Sequence, residues 1–189
     1  DTSQQISVSA AIPQDLLSGT SAYFFEEVSG NIGGASSLTW DKNPNFVNSS
    51  LSPNRLYSYR LRTMDASGNI STYSAVVSTY TLAAVPTVQT TPKITGSDLN
   101  ITWSGGGNPA LTPYELEFSL DPNFSSIQIT SATLLQSATV QNLIVNTTYY
   151  IRGRAKNQNG IYSDYNLLGT KLTPPGSIAT IPTPFVYVT

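Results

Sequence analysis

The sequence has no cysteine and no histidine among its 189 residues. The absence of cysteine excludes a disulfide framework, a thiolate metal site and a cysteine nucleophile. The absence of histidine removes the side chain that most often serves as a catalytic base and as a metal ligand. Catalysis would have to rely on carboxylates, so we expect no metal, no other cofactor and no enzymatic activity.

Charge is also scarce. Charged residues make up 11% of the chain, and 9 basic against 11 acidic residues give a net charge of −2. There is no basic stripe and no apolar run of the roughly 20 residues that a spanning helix needs, so we expect neither a nucleic-acid partner nor membrane insertion. Polarity comes from Ser, Thr, Asn and Gln, which is typical of secreted or cell-surface proteins, and we predict that location.

The most informative feature that is present is an internal repeat. A set of residues in the segment 51–73 recurs 92 positions later with no gap. A period near 90 residues indicates whole domains rather than the repeats of roughly 20–50 residues found in solenoids. The identical pairs are Leu51/Leu143, Asn54/Asn146, Tyr57/Tyr149, Arg60/Arg152, Arg62/Arg154, Gly68/Gly160, Ser71/Ser163 and Tyr73/Tyr165.

Each copy of the repeat has a β pattern. Segments 57–62 and 148–152 alternate aromatic or branched residues with polar ones, and turn signals at 65–69 and 157–160 close each into a following strand. No segment shows a sustained apolar period of 3.6 residues with caps, so we predict almost no helix.

The spacing Leu-x-Pro-x-x-x-Tyr from Leu51, the Tyr/Arg strand and the turn Asp-x-x-Gly-Asn from Asp65 resemble the E–F–G region of fibronectin type III domains in bacterial or archaeal surface proteins. The resemblance implies an all-β fold of two tandem immunoglobulin-like sandwiches, end to end. It also implies tyrosine corners at Tyr57 and Tyr149, whose hydroxyls would bond back to the backbone before strand F. The second copy departs from the pattern at Val145, where proline is usual.

We divide the chain into a first domain at residues 1–84, a second at 85–175 and a C-terminal extension at 176–189. The second domain has a full set of strands, with Trp103 as its central core aromatic. Its predicted strands before the repeat are A at 86–92, B at 99–103, C at 114–118, C′ at 127–130 and E at 138–140.

The first domain lacks residues for strand A, because only one strand, at 5–12, precedes its strand C at 22–26. The extension is β-branched and aromatic and resembles a spare strand A. We therefore hypothesise an acceptor region at Ile6 and Val8 that takes a donor strand from another copy. The residues of this candidate assembly strand are Ile181, Phe185, Val186, Tyr187 and Val188.

Clusters of charge have an ordinary explanation and a functional one. Glu115 and Glu117 share one face of a strand, and with the pair at 26–27 they are the only acidic clusters; a solvated face is favoured over a glycosidase pair. We expect the two arginine pairs of the repeat to contact these glutamates across strands. Trp40 is predicted to be either core or a contact with a partner or sugar.

Two further motifs have modest weight. The segments 41–45 and 121–123 carry Asp and Asn oxygens, but their spacing fits turns better than a calcium loop. In a glycosylating host, the candidate N-glycosylation sites are Asn48, Asn69, Asn100, Asn123 and Asn146.

Three functions remain open from the sequence. The first is a structural subunit that polymerises head to tail into a surface filament by strand donation. The second is a slice of a longer fibronectin type III array with an adhesin role. The third is a spacer or binding module of a secreted glycan-degrading enzyme, with a surface glycan as partner.

Overall fold

The computed structural model describes residues 4–11, 19–95 and 98–176. Every regular element in these ranges is a β-strand, and no helix occurs there. The strands form four sheets that make two immunoglobulin-like sandwiches in tandem. The predicted all-β fold class is therefore confirmed, and no helix of the described residues is long and apolar enough to cross a membrane.

The first sandwich is small. One of its sheets pairs β1 with β3, and the other has the order β2-β4-β5, with every pairing antiparallel. Its strands are β1 (Ile6–Ser9), β2 (Thr20–Glu27), β3 (Asn45–Asn48), β4 (Leu56–Asp65) and β5 (Val77–Tyr80). The inner faces of the two sheets meet in a cluster of buried side chains that comprises Ile6, Leu51, Tyr57 and Tyr59.

The second sandwich has a larger core and more strands. Trp103 is fully buried at its centre, as the sequence predicts, and its ring centroid lies 5.5 Å from that of Tyr114 in an edge-to-face contact. One sheet has the order β10-β9-β12-β13, and in the other β8 pairs with β11, β6 and β7. The strands are β6 (Thr87–Val88), β7 (Lys93–Thr95), β8 (Asp98–Ser104), β9 (Tyr114–Ser119), β10 (Ile127–Thr133), β11 (Ser137–Val140), β12 (Thr148–Ala155) and β13 (Asn166–Leu172).

The repeat in the sequence corresponds to one substructure built twice. In both sandwiches a long strand, β4 or β12, ends in a turn whose glycine has a left-handed φ of 86° at Gly68 and 81° at Gly160. Beyond the turn, the Ser71 hydroxyl accepts the Thr63 N–H at 2.9 Å, and the Ser163 hydroxyl accepts the Ala155 N–H at 3.0 Å. The serine therefore replaces a missing strand partner, which explains its recurrence.

The turn before each long strand is fixed by a tyrosine. The Tyr57 hydroxyl accepts the Ser52 N–H at 2.9 Å and donates to the Ile32 carbonyl at 2.5 Å. The Tyr149 hydroxyl accepts the Ile144 N–H at 3.1 Å. Both rings are buried, so each hydroxyl supplies a partner to backbone that water reaches poorly.

Some elements differ from the sequence prediction. Strand β3 was not predicted, because its sequence, Asn-Phe-Val-Asn, has turn-forming residues at both ends. Strand A of the second sandwich is two short strands, β6 and β7, instead of one. In the described part of the first sandwich, β1 pairs with β3 alone, so no strand there corresponds to β6 or β7.

Removing the Tyr57 hydroxyl tests the role of this corner. We expect Tyr57→Phe to lower the free energy of unfolding of the first sandwich by about 1–3 kcal/mol, because a backbone N–H and a carbonyl lose their partner. Tyr149→Phe, which removes one such bond, should cost about 1 kcal/mol in the second sandwich. Urea titration followed by tryptophan fluorescence, with and without Trp40→Phe, separates the two sandwiches. The expectation would be contradicted if Tyr57→Phe and Tyr149→Phe each lowered the free energy of unfolding of both sandwiches equally.

Candidate functional site

The carboxylates of the second sandwich are held by arginines on the outer face of β9 and β12. Glu117 forms a salt bridge with Arg152, and Glu115 with Arg154, each at 2.6 Å. The Tyr165 hydroxyl lies 3.0 Å from Glu115 Oε1 and 2.7 Å from Glu117 Oε1. The predicted cross-strand pairing is confirmed, and these carboxylates are engaged in structural contacts.

Aromatic rings pack against the same two arginines, and we call this row of arginines, glutamates and rings the arginine ladder. The Arg154 guanidinium lies 3.8 Å from the Tyr162 ring centroid and 4.4 Å from that of Tyr165. Arg152 lies 4.0 Å from the centroid of Tyr165 and 4.4 Å from that of Phe124. Each arginine is thus fixed both by a carboxylate and by ring faces, so the repeated arginines order this sheet.

The first sandwich departs from this arrangement at one position. Arg60 pairs with Glu26 at 2.6 Å, as expected. Arg62, however, lies opposite Phe24 in the strand register, where the second sandwich has a glutamate opposite its arginine. The pairing predicted for Arg62 is therefore wrong: its guanidinium contacts the rings of Phe24, Trp40 and Tyr73 at 5.3, 5.5 and 5.0 Å.

Trp40 belongs to this cluster and not to the core. Its ring is half-buried and tilted against Phe24 at 5.6 Å, on the outer face of β2. Segment 35–41 runs along the edge of β2, where the Ser37 N–H donates to the Phe25 carbonyl. Trp40 is therefore occupied by contacts within the chain.

The Asp and Asn residues proposed for turns form turns. Asp41 Oδ1 accepts the Asn43 N–H at 2.9 Å, and Asp121 Oδ1 accepts the Asn123 N–H at 3.1 Å. Asp121 Oδ2 also bonds Ser125, which helps to hold the pKa of Asp121 below its ordinary value. Among the described residues, no group of three or more acidic, His or Cys side chains could hold a metal ion.

One of the candidate glycosylation sites is corrected by the structure. Asn48 is 4% exposed, and its amide donates to the Ala35 carbonyl and to the Tyr59 hydroxyl. A glycan cannot be attached there without disrupting the first core. Asn69, Asn123 and Asn146 are exposed, Asn100 is half-buried, and these four stay predictions.

A groove follows the open side of the first sandwich. It has a volume of about 260 Å³ and lies between β1 on one side and residues 77–79 of β5 on the other, with Tyr59 at its base. Ile6 and Val8, the residues hypothesised as an acceptor, both line it. The hypothesised donor residues, Ile181, Phe185, Val186, Tyr187 and Val188, lie outside the described part of the chain.

Within the described ranges, no strand pairs with the backbone of β1 on the groove side. The Ala10 N–H bonds the Pro44 carbonyl, which continues the ladder between β1 and β3. Hydrogen-bonded pairs alternate along an antiparallel ladder, so the N–H and C=O groups of Ser7 and Ser9 point away from β3 and toward the groove. An added strand would find donors and acceptors there.

A polar interface joins the two sandwiches. Asn54 is 1% exposed; its amide donates to the Thr112 hydroxyl at 2.9 Å, and its Oδ1 accepts the Gln158 N–H at 3.0 Å. The Asn157 amide donates to the Thr81 carbonyl at 3.1 Å. These buried bonds fix the orientation of one sandwich on the other.

A second contact holds the linker in the same interface. The Asn108 side chain accepts the Ala84 N–H at 2.8 Å and donates to the Ala84 carbonyl at 2.9 Å. None of these asparagine contacts was predicted. The only signal in the sequence was the identical pair Asn54/Asn146, which marks a repeated turn but does not identify a partner.

One family model matches part of the chain. Residues 83–166 match the model of the fibronectin type III domain. Such domains are generally non-catalytic binding or structural modules and are typical of extracellular proteins. No curated protein sequence matches the chain.

A solved structure has the same fold, and a second one matches more distantly. A two-domain fibronectin type III segment of chicken tenascin matches with a TM-score of 0.55 and 13% identity, covering 91% of this chain and 94% of that one. The FN1–FN3 domains of chicken CNTN1 match with a TM-score of 0.38 and 16% identity; 90% of this chain is covered, and it spans 62% of that one.

The carboxylates of the ladder predict a dependence on pH. Burial raises the pKa of Glu115, but Arg154, Tyr165 and Tyr162 together outweigh burial and hold that pKa below its ordinary value. A carboxylate whose pKa is lower in the folded state stabilises the protein above its unfolded pKa, and this stabilisation is lost as the pH falls through the folded pKa.

We therefore expect the second sandwich to lose stability as the pH falls below about 4.3, the ordinary glutamate pKa. Glu115→Gln should be less stable at neutral pH, and its stability should fall less on acidification. Urea titrations followed by Trp103 fluorescence between about pH 6 and about pH 3 measure this. An identical pH profile in the variant would contradict the expectation.

The interface gives a matched pair of variants. Asn54 and Asn146 have left-handed φ angles of 49° and 50°, which glycine adopts without strain, but only Asn54 is buried. We expect Asn54→Gly to cost about 1–3 kcal/mol, because the Gln158 N–H loses its partner, and Asn146→Gly to cost less than about 0.5 kcal/mol. Urea titration measures the free energy of unfolding of each variant. Comparable decreases in the two variants would show that the interface does not contribute to stability.

Proposed function

We propose that the chain is a non-enzymatic extracellular structural subunit that assembles head to tail with other copies of itself into a surface filament. The segment 176–189 of one copy is the donated strand, and the groove between β1 and β5 of the next copy is the acceptor. The observation that supports this proposal is that, among the described residues, no strand pairs with the second edge of β1, at the place where the second sandwich has β6 and β7.

The second sandwich shows what belongs in such a groove. Val88 of β6 pairs with Trp103, and Ile94 of β7 pairs with Leu99, so strand A follows β8, and Ile94 packs against the core. Strand A is also tied to β13, because the Asn166 amide donates to the carbonyl of the buried Pro86 at 3.0 Å. The first sandwich has the same two walls, β1 and β5, with a groove between them.

The two grooves differ in shape at one position. Gly169 lies opposite Ile151 in the second sandwich, and a Cβ there would come within 2.8 Å of Pro92. The matching position in the first sandwich is Val77, which lies opposite Tyr59 and is 56% exposed. A strand that occupies the first groove must therefore leave room for this side chain and add apolar contact to it.

The segment after Gly176 has suitable chemistry. Residues 185–188 read Phe-Val-Tyr-Val, so alternate positions would present aromatic rings to one face and valines to the other. Such residues favour strands, and main-chain bonds to an exposed edge provide affinity in β-augmentation. Ser7 and Ser9 offer the outward backbone groups that such bonds require.

Strand direction favours a donor from another copy. The last residues of β13 lie at the end of the second sandwich remote from the first, where the Pro174 carbonyl accepts the Asn146 N–H. A segment that returned along its own chain would use about seven residues to retrace β13, and it would then run parallel to β1. In the second sandwich, β6 and β7 run antiparallel to β8, which is the counterpart of β1. A donor from another copy can take this antiparallel direction, whereas the returning segment cannot.

A donor end and an acceptor groove on different surfaces make the contact heterologous. Such contacts do not close on themselves after two subunits unless the geometry forms a ring, so they propagate into filaments. The fixed interface around Asn54 supports this, because a subunit with a defined angle between its halves repeats regularly. The same rigidity also favours the second candidate, a spacer or adhesin module within a longer array.

Removal of the donor segment tests the proposal. We expect the full chain to form concentration-dependent polymers in sedimentation velocity and the variant that lacks residues 179–189 to be a monomer. A synthetic peptide of residues 177–189 should bind the truncated protein, whereas a peptide with Phe185→Asp and Val186→Asp should not.

A groove variant provides the complementary control. Ser7→Pro removes an outward N–H of β1 while the hydrogen-bonded pairs with β3 remain, and proline is tolerated on edge strands. This variant should fold and fail to bind the peptide. Polymers that persist after the deletion, or peptide binding that survives Ser7→Pro, would overturn the proposal.

A further inference from the structure

The end of the second sandwich remote from the first carries a turn that already serves as a docking surface elsewhere in the chain. We name this end, residues 142–147 and 173–176, the far pole; the corresponding residues of the first sandwich, 50–55 and 81–84, are the inner pole. The inner pole holds the second sandwich through Asn54.

The backbone of the two poles is built alike. The Asn54 N–H donates to the Leu82 carbonyl at 3.0 Å, and the Asn146 N–H donates to the Pro174 carbonyl at 2.9 Å. The hydroxyl of Thr81 accepts the Arg55 N–H at 3.0 Å, and that of Thr173 accepts the Thr147 N–H at 2.9 Å. The asparagine side chain is therefore presented in the same local frame at both poles.

The poles differ in what covers them. Asn54 is buried by the second sandwich, whereas Asn146 is exposed. Three apolar side chains around Asn146 are also more than half exposed: Ile144 at 56%, Val145 at 54% and Leu172 at 57%. A turn that has the form of a docking surface, with an apolar margin, is thus left uncovered in the described part of the chain.

The opposite end of the molecule offers a matching surface. Asn54 recognises the turn after β12, where Asn157 Oδ1 accepts the N–H groups of Asn159 and Ile161. The turn after β4 repeats this geometry, because Asp65 Oδ1 accepts the N–H groups of Ser67 and Asn69. Ala66 thus stands in the place of Gln158, whose N–H bonds Asn54.

A cleft beside this second turn gives the incoming residues room. It has a volume of about 220 Å³ and is lined in part by Thr20, Asp65 and Ile70. Ile70 is 51% exposed, so it offers apolar surface to the exposed side chains of the far pole.

We infer that the far pole of one copy docks onto the turn 65–68 of the first sandwich in a second copy, with Asn146 in the role of Asn54. This inference rests on the proposed head-to-tail assembly and assigns its second contact. The donated segment leaves the far pole at Gly176, next to Val145, so one approach of the two copies brings strand and pole to their partners together.

The two interfaces differ at one position, and a substitution there should strengthen the contact between copies. Within the chain, the Asn157 amide donates to the Thr81 carbonyl. Asp65 occupies that position in the second copy; its side chain has no N–H, and its Oδ2 accepts the Asn69 amide at 2.8 Å. Docking between copies therefore lacks one hydrogen bond and is weaker than docking within the chain. Asp65→Asn would supply the missing donor when it is made together with Asn69→Ile, because the second sandwich has Ile161 at that position and no second amide faces Asn157 there.

Two variants of the full chain test this contact by sedimentation velocity. We expect Asn146→Gly to weaken self-association about tenfold. Asp65→Asn, made together with Asn69→Ile and compared with Asn69→Ile alone, should strengthen it about threefold to tenfold, as fits one hydrogen bond gained. When Asn146→Gly is added to Asp65→Asn, self-association should no longer be strengthened, because residue 146 no longer engages the turn. Peptide 177–189 should bind the truncated form of every variant equally, since the groove is unaltered.

The outcomes separate this inference from the proposed function. Loss of assembly on deletion of 179–189 with no effect of Asn146→Gly or Asp65→Asn would overturn the pole contact and leave strand donation intact. Assembly that survives the deletion but responds to both substitutions would support the pole contact and reject strand donation. A gain from Asp65→Asn that persists with Asn146→Gly would overturn the assigned partner.

Discussion

The turn that precedes β4 and β12 is the constraint on which the rest of the structure depends. In each turn a buried tyrosine hydroxyl accepts a backbone N–H, and an asparagine adopts the left-handed φ that the turn requires. Because this turn fixes where each long strand begins, it also sets the register of the arginine ladder along that strand. At the inner pole the same asparagine extends the constraint across the interface, so one local motif determines strand position, sheet surface and the angle between the sandwiches.

Much of this could be predicted from the sequence because its signals are local. Alternation predicted the long strands, the repeat predicted two equivalent units, and the tyrosine spacing predicted the residues that anchor the turns. The arginine pairs could be matched to Glu115 and Glu117 because strands C and F are neighbours in any such sandwich. These inferences need only periodicity and the known order of strands.

The features that were not predicted depend on partners distant in sequence. The Asn54 side chain meets Thr112 and Gln158 only after both sandwiches have folded, and its position in the repeat is the same as that of the exposed Asn146. Arg62 looked equivalent to Arg154, but the difference lies in its cross-strand partner, Phe24, which one strand's pattern does not reveal. Strand β3 has weak propensity of its own and forms because its pairing with β1 covers the core.

The differences between the two sandwiches carry more information about function than their similarities. At Val77 the first sandwich has a side chain where the second needs glycine for its own strand A, so the first groove is not merely an unfinished copy of the second. At Asp65 the first sandwich lacks the donor that Asn157 supplies. In the proposed assembly, both changes would weaken the fit of an internal partner and suit one that binds from outside and can leave again.

Strand donation and pole docking would also depend on each other physically. A flexible segment that binds an edge by itself must be ordered on binding, and a small polar turn has too little area to hold a partner alone. When both lie at one end of the subunit, binding of either raises the effective concentration of the other. A filament joined in this way is stable while both contacts hold, and loss of either releases the subunit.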